Sequence, residues 1–179
     1  RLYKSLQQSG VSSTMLVGDK QRDDFTVLSS EGKLTKEWMK VAPILSALPL
    51  GLYPNRNKIP YSLQWLPDRI PSRLAQIAPD IINLHWINAG YLQIETLAKF
   101  NKPIVWTLHD MWPFTGGCHY SQECDRYTKS CGACPQLQSK QEWDLSRWVW
   151  RRKAKAWKNL NLTLVTPSNW LAKCAKASS

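Results

Sequence analysis

The 179-residue chain is short of several things that would assign it quickly. Glycine numbers 8 and proline 11, with no repeat period, so collagen-like and low-complexity readings fail. No apolar run approaches the ~20 residues a spanning helix needs. The nearest, Val41 to Tyr53, is short and carries Pro43 and Pro49. No Lys/Arg-led apolar leader opens the sequence. Acid is scarce: 13 Asp and Glu against 24 Lys and Arg give +11. From Leu145 to Ser179 there is no acid at all, against Arg147, Arg151, Arg152, Lys153, Lys155, Lys158, Lys173 and Lys176. So +8 of the +11 lies in one segment, which suits an anionic partner or, more plainly, a solvated helix face. What is plentiful is apolar content, 43%, and tryptophan, 10 residues. The first supports one full core. The second fits a core, a sugar site or a membrane interface equally.

Periodicity predicts alternating helices and strands. Leu2 to Gln8 reads as an amphipathic helix closed by Gly10, and Ser13 to Val17 as a strand. Residues 19–35 read as irregular, with a short strand at Phe25 to Leu28. Lys36 to Leu48 has helical spacing, with Trp38, Val41, Ile44 and Leu45 on one side. Asp68 to Ile77 is a helix with prolines near its start. Asp80 to His85, Pro103 to His109 and Leu162 to Thr166 read as buried strands. Helices over Tyr91 to Phe100, Asp144 to Leu160 and beyond a Ser168 cap lie between and after them. A long polar insertion occupies 110–140. The pattern predicts an α/β fold, a Rossmann-like parallel sheet with helices on both faces. The chain starts at Arg1 on a helix feeding a strand, so the expectation is a domain, 1–179, whose first strand precedes it.

In such sheets ligands bind beyond the carboxyl ends of the strands. Those ends carry His85-Trp86, His109-Asp110 and Thr166-Pro167-Ser168, with Asn88 in the loop after the first. A single His at a strand end is ordinarily a structural hydrogen-bonding group. Two of the chain's three at one edge make His109 a candidate reacting group. The stretches PDIINLHWINAGYL, KPIVWTLHDMWPFTGGCHY and LTLVTPSNWLA resemble the amino-terminal domain of GT-B, family 4 retaining glycosyltransferases. The narrower likeness is to the exopolysaccharide and colanic-acid-type subgroup, although Asn83 stands where many relatives carry a His.

The resemblance implies transfer of a sugar, with retention, from a nucleotide-sugar to a polysaccharide or lipid-linked acceptor. It implies no catalytic metal or other cofactor for the chemistry, a cytoplasmic setting, and a carboxyl-terminal donor-binding domain outside these residues. On it, His109 is catalytic at the donor sugar, and His85, Trp86, Asn88, Asp110, Trp112 and Ser168 bind substrate. Asp110 either orients His109, binds an acceptor hydroxyl or caps locally.

Cys118, Cys124, Cys131 and Cys134 follow C-x5-C-x6-C-x2-C, with Cys174 apart. A structural Zn²⁺, two disulfides and free thiols all remain open. On a helical wheel Arg147, Arg151, Lys155 and Lys158 form one stripe, opposite Leu145, Val149, Ala156 and Leu160. With tryptophans alongside, residues 145–158 suit peripheral contact with an anionic membrane, at the inner face of the plasma membrane. Rival readings are a zinc-stabilised basic nucleic-acid-binding module and a non-catalytic glycan-binding domain. No nucleic-acid motif is present, so no nucleic acid is expected.

Overall fold

The computed structural model describes residues 2–20, 24–29 and 33–178, with side chains of 33–36 outside that set. Parts of the irregular stretch read over 19–35 therefore lie outside the described residues. The element order is α1 (Leu2–Gln8), β1 (Met15–Val17), β2 (Val27–Ser29), α2 (Lys33–Ala47), α3 (Ile70–Ile77), β3 (Ile82–Leu84), β4 (Ile104–Thr107), α4 (Leu145–Trp157), β5 (Leu162–Val165) and α5 (Asn169–Ala177). Among the described residues the named strands pair in parallel, and one isolated antiparallel bridge joins Tyr61 to Cys118. β1 pairs with β2, and β3-β4-β5 form a second sheet in that order. Leu84 stands opposite Trp106, and Trp106 opposite Leu164, so three strands end together.

Local chemistry sets the helix starts. Asp144 caps α4, its Oδ1 accepting from the N–H of Ser146 at 2.9 Å and of Arg147 at 3.1 Å. Ser168 caps α5 by accepting from Leu171 N–H at 3.2 Å. The N-cap of α3, Arg69, makes no side-chain cap bond; Asp68, one residue before it, accepts the N–H of Ile70 at 2.9 Å. Among the described residues no helix is long and apolar enough to cross a membrane.

Three expectations change. Tyr91 to Phe100 is not an α-helix; only a 3₁₀ segment forms, at Ile94–Lys99. Its leading N–H groups are held by tertiary partners: Gln93 donates to Asp68 Oδ2 at 2.8 Å and Ile94 to Gln64 O at 3.2 Å. The apolar side predicted for α2 is also not its packed side. Trp38, Val41 and Ile44 are exposed, whereas Ala42 and Ser46 are buried. The small residue permits close approach: a Cβ on Gly90, at φ +76, would lie 2.9 Å from Ala42 Cβ. Trp65 Nε1 then reaches Ser46 O at 3.1 Å. Third, β5 is an edge strand, and Leu164 and Val165 are exposed rather than buried.

The core gathers Leu63, Ile94, Leu97, Ile104, Leu108, Met111, Trp112 and Val149. Trp106 and Trp112 lie within it, and the half-buried Trp157 packs against both. Trp157 packs edge-on against Trp106 at 5.3 Å and Trp112 at 6.0 Å between ring centroids. Their N–H groups are satisfied, Trp112 Nε1 by Ser62 O and Trp157 Nε1 by Ile94 O, each at 2.8 Å. Part of the tryptophan excess is therefore core, while Trp86, Trp143, Trp148 and Trp170 face outward.

Candidate active site

Parallel register brings His85 and His109 to one edge, because each follows closely on the end of adjacent strands β3 and β4. Their rings tilt at 31° with centroids 5.3 Å apart. His85 Nδ1 lies 2.9 Å from His109 Nε2. One of these nitrogens donates and the other accepts, so the pair holds a single proton between them. Both side chains are exposed on the outer side. Desolvation, and then the neighbouring His109, pull the His85 imidazole below its ordinary value.

That shift has a signed consequence. The folded chain binds fewer protons than the unfolded chain as pH falls through the ordinary imidazole range, so acidification removes stability here. Imidazole NMR titration should give His85 a midpoint below that of a free histidine, moving up in His109→Ala. A midpoint at or above the free value would contradict the pairing.

The pair borders a small pocket, also lined by Trp86, Asn88, Asp110 and Trp112. Trp86 is 54% exposed and offers a flat apolar face. Asn88 is buried, and its Oδ1 has no hydrogen-bond partner among the described residues. A buried acceptor left unpaired is costly unless a ligand or water completes it. Trp112 touches the pocket but is 1% exposed and belongs to the tryptophan core. Ser168 does not line the pocket, and its hydroxyl is occupied in capping α5.

Both carboxylate oxygens of Asp110 are engaged by groups other than His109. Its Oδ1 accepts from Trp112 N–H at 2.8 Å, and its Oδ2 lies 2.6 Å from His119 Nδ1. His119 Nε2 continues to Ser62 Oγ at 2.9 Å. This buried Ser62–His119–Asp110 chain pins the loop after β4 to the segment around Ser62. Tyr120 adds a hydrogen bond from its hydroxyl to His109 O at 3.3 Å. His119, which lies inside the cysteine pattern, is not among the site residues read from the sequence. Its signal was being the third histidine, nine residues after Asp110, a separation no helix or strand period explains.

Cys118, Cys124, Cys131 and Cys134 all line a second, small cavity. All are free thiols. Burial pushes Cys118 up to about 11 and Cys131 up to about 12, against the behaviour of a redox nucleophile. As the side chains stand, no three His, Cys, Asp or Glu among the described residues are gathered closely enough to hold a metal ion.

The basic face of α4 is less continuous than the wheel suggested. Arg147 pairs with Glu142, and Arg152 bonds bidentately to Glu95 at 2.7 and 2.6 Å. Lys153, counted with the surface charge, is 4% exposed. It donates to Trp112 O and Thr115 O, and its Nζ sits 3.5 Å from the centre of the Trp112 ring. Of residues 145–158, Arg151, Lys155 and Lys158 remain exposed for an anionic surface.

Residues 1–177 match the model of Glycosyltransferase Family 4. The chain belongs to glycosyltransferase family 4. Over 68 residues it is 31% identical to an Escherichia coli (strain K12) protein named as a colanic acid biosynthesis glycosyl transferase, WcaC. That match covers 33% of this chain and 17% of the relative's length. No solved structure matches the chain significantly. Family membership agrees with the α/β architecture and with a pocket at the carboxyl ends of parallel strands.

Proposed function

We propose that this chain is the acceptor-side half of a retaining glycosyltransferase that uses a nucleotide-sugar donor. The single observation that carries the reading is the His85–His109 pair at the strand ends of a family 4 fold. In this reading the reacting carbon of the donor sugar lies beside His109. His85 occupies Nε2 of that ring, and Nδ1 makes no other hydrogen bond among the described residues. The positioned imidazole and nearby main-chain dipoles stabilise the oxocarbenium-like, charge-separated transition state as the diphosphate leaves. Trp86 offers stacking area to a sugar ring, and Asn88 Oδ1 an acceptor for a hydroxyl. The acceptor is a hydroxyl of a polysaccharide or lipid-linked glycan. The donor diphosphate is neutralised by groups outside these residues.

The test is a product assay with the full-length enzyme, a panel of nucleoside diphosphate sugars and glycan acceptors. The expected result is release of nucleoside diphosphate matched to a glycosylated product with the donor's anomeric configuration, read by proton NMR. An inverted product would overturn the retaining assignment. Sugar bound without turnover by any donor would favour a glycan-binding protein instead.

A further inference from the structure

The four cysteines of the insertion have no part in the reading above, yet the fold brings all of them to one cavity. Residues 118 and 134 are far apart in a segment built mostly of turns, with short 3₁₀ pieces at Trp112–Phe114, Arg126–Thr128 and Pro135–Leu137. Such a segment has little regular structure to hold it. The Cys131-Gly132-Ala133 run is left-handed throughout, at φ 50, 99 and 41, which turns the chain tightly between Cys131 and Cys134. Gly132 is required there, because a Cβ would meet the main chain at Glu142 and the Arg147 guanidinium.

The backbone around these cysteines is fixed independently of their sulfurs. The Leu137 N–H donates to the Cys134 carbonyl at 3.1 Å, the Cys134 N–H to Asp144 Oδ2 at 2.9 Å, and the Thr115 hydroxyl to the Cys118 carbonyl at 2.5 Å. The Gly132 N–H between the last two cysteines donates to Ser146 Oγ at 2.9 Å. The start of α4 therefore holds the Cys131–Cys134 turn against the cavity, and none of the four cysteines is in a disulfide.

We propose that Cys118, Cys124, Cys131 and Cys134 form a structural tetrathiolate site for one zinc ion. The sulfurs stand around the cavity rather than at its centre, so binding turns the thiols inward about χ1 and displaces their protons. Four sulfur ligands leave no open position, so the ion is a clamp and not a Lewis acid. It closes one residue from His119, whose bond to Asp110 fixes the loop beside His109.

The test is elemental analysis of the full-length protein purified under reducing conditions. Stoichiometric zinc is expected, retained in Cys174→Ser and lost in the Cys131→Ser/Cys134→Ser double variant. To keep the test independent of that variant's folding, cobalt titration of the chelator-treated wild-type protein is read in parallel. The intense visible absorption of a tetrahedral cobalt tetrathiolate is expected, and zinc should bleach it. Zinc no higher in wild type than in the double variant, or the absence of that absorption, would overturn the site. So would intact-mass loss of four hydrogens, which reports two disulfides, or stoichiometric iron in place of zinc.

Discussion

His109→Ala in the full-length enzyme is expected to lower turnover by about 10²–10³-fold, the usual cost of removing one preorganised electrostatic group. Acceptor affinity should change little, because the group acts on charge that develops only in the transition state. Steady-state kinetics with donor and acceptor varied separately check this. A rise in the acceptor KM with turnover unchanged would move His109 from the reacting centre to acceptor binding. The geometry behind the prediction is specific. His109 is exposed at the strand edge, its Nε2 is taken by His85, and its main-chain carbonyl is held by Tyr120.

Trp112→Ala is the second large effect, and it is expected in stability. Trp112 is 1% exposed, packs against Trp106 and Trp157, donates to Ser62 O and lies under the Lys153 ammonium. Truncating such a ring costs about 3–5 kcal/mol in transfer and cavity terms. Here it would also remove the aromatic face that supports a buried cation, for which burial already drives Lys153 well below the ordinary lysine value. Denaturant unfolding should show a clearly lower midpoint with a similar slope. A fully stable variant with weakened substrate binding would return Trp112 to the role its position beside the histidines first suggested.

Much of this was legible in the sequence, and the reasons differ by element. Strands β3 and β4 were readable from their apolar residues, although burial alternates along them: Ile82, Leu84, Ile104 and Trp106 are buried, whereas Ile81 and Asn83 are exposed. The caps at Asp144 and Ser168 were readable because capping is a local chemistry. Parallel pairing then places His85 beside His109 without further information. What periodicity could not supply was tertiary competition. The start of Ile94–Lys99 is drawn away by Asp68 and Gln64, which are 25 and more residues distant. Likewise α2 docks through Ala42 against Gly90, and apolar patterning is blind to a contact made by small residues. Lys153 was misjudged, and Asp110 was left with three readings, for a related reason. Each is a charged residue whose partners, the Trp112 and Thr115 carbonyls for one and His119 for the other, are set only by the folded insertion. A helical wheel counts the charge of Lys153 but not its burial.

The central claim is that His85 and His109 act as one unit at the ends of β3 and β4. A double-mutant cycle on turnover tests it most directly, comparing His85→Ala, His109→Ala and the pair in the full-length enzyme. Residues that act as a unit lose their effect together. The double variant should therefore be scarcely slower than His109→Ala alone. Losses that multiply independently would show that the 2.9 Å contact has no part in catalysis.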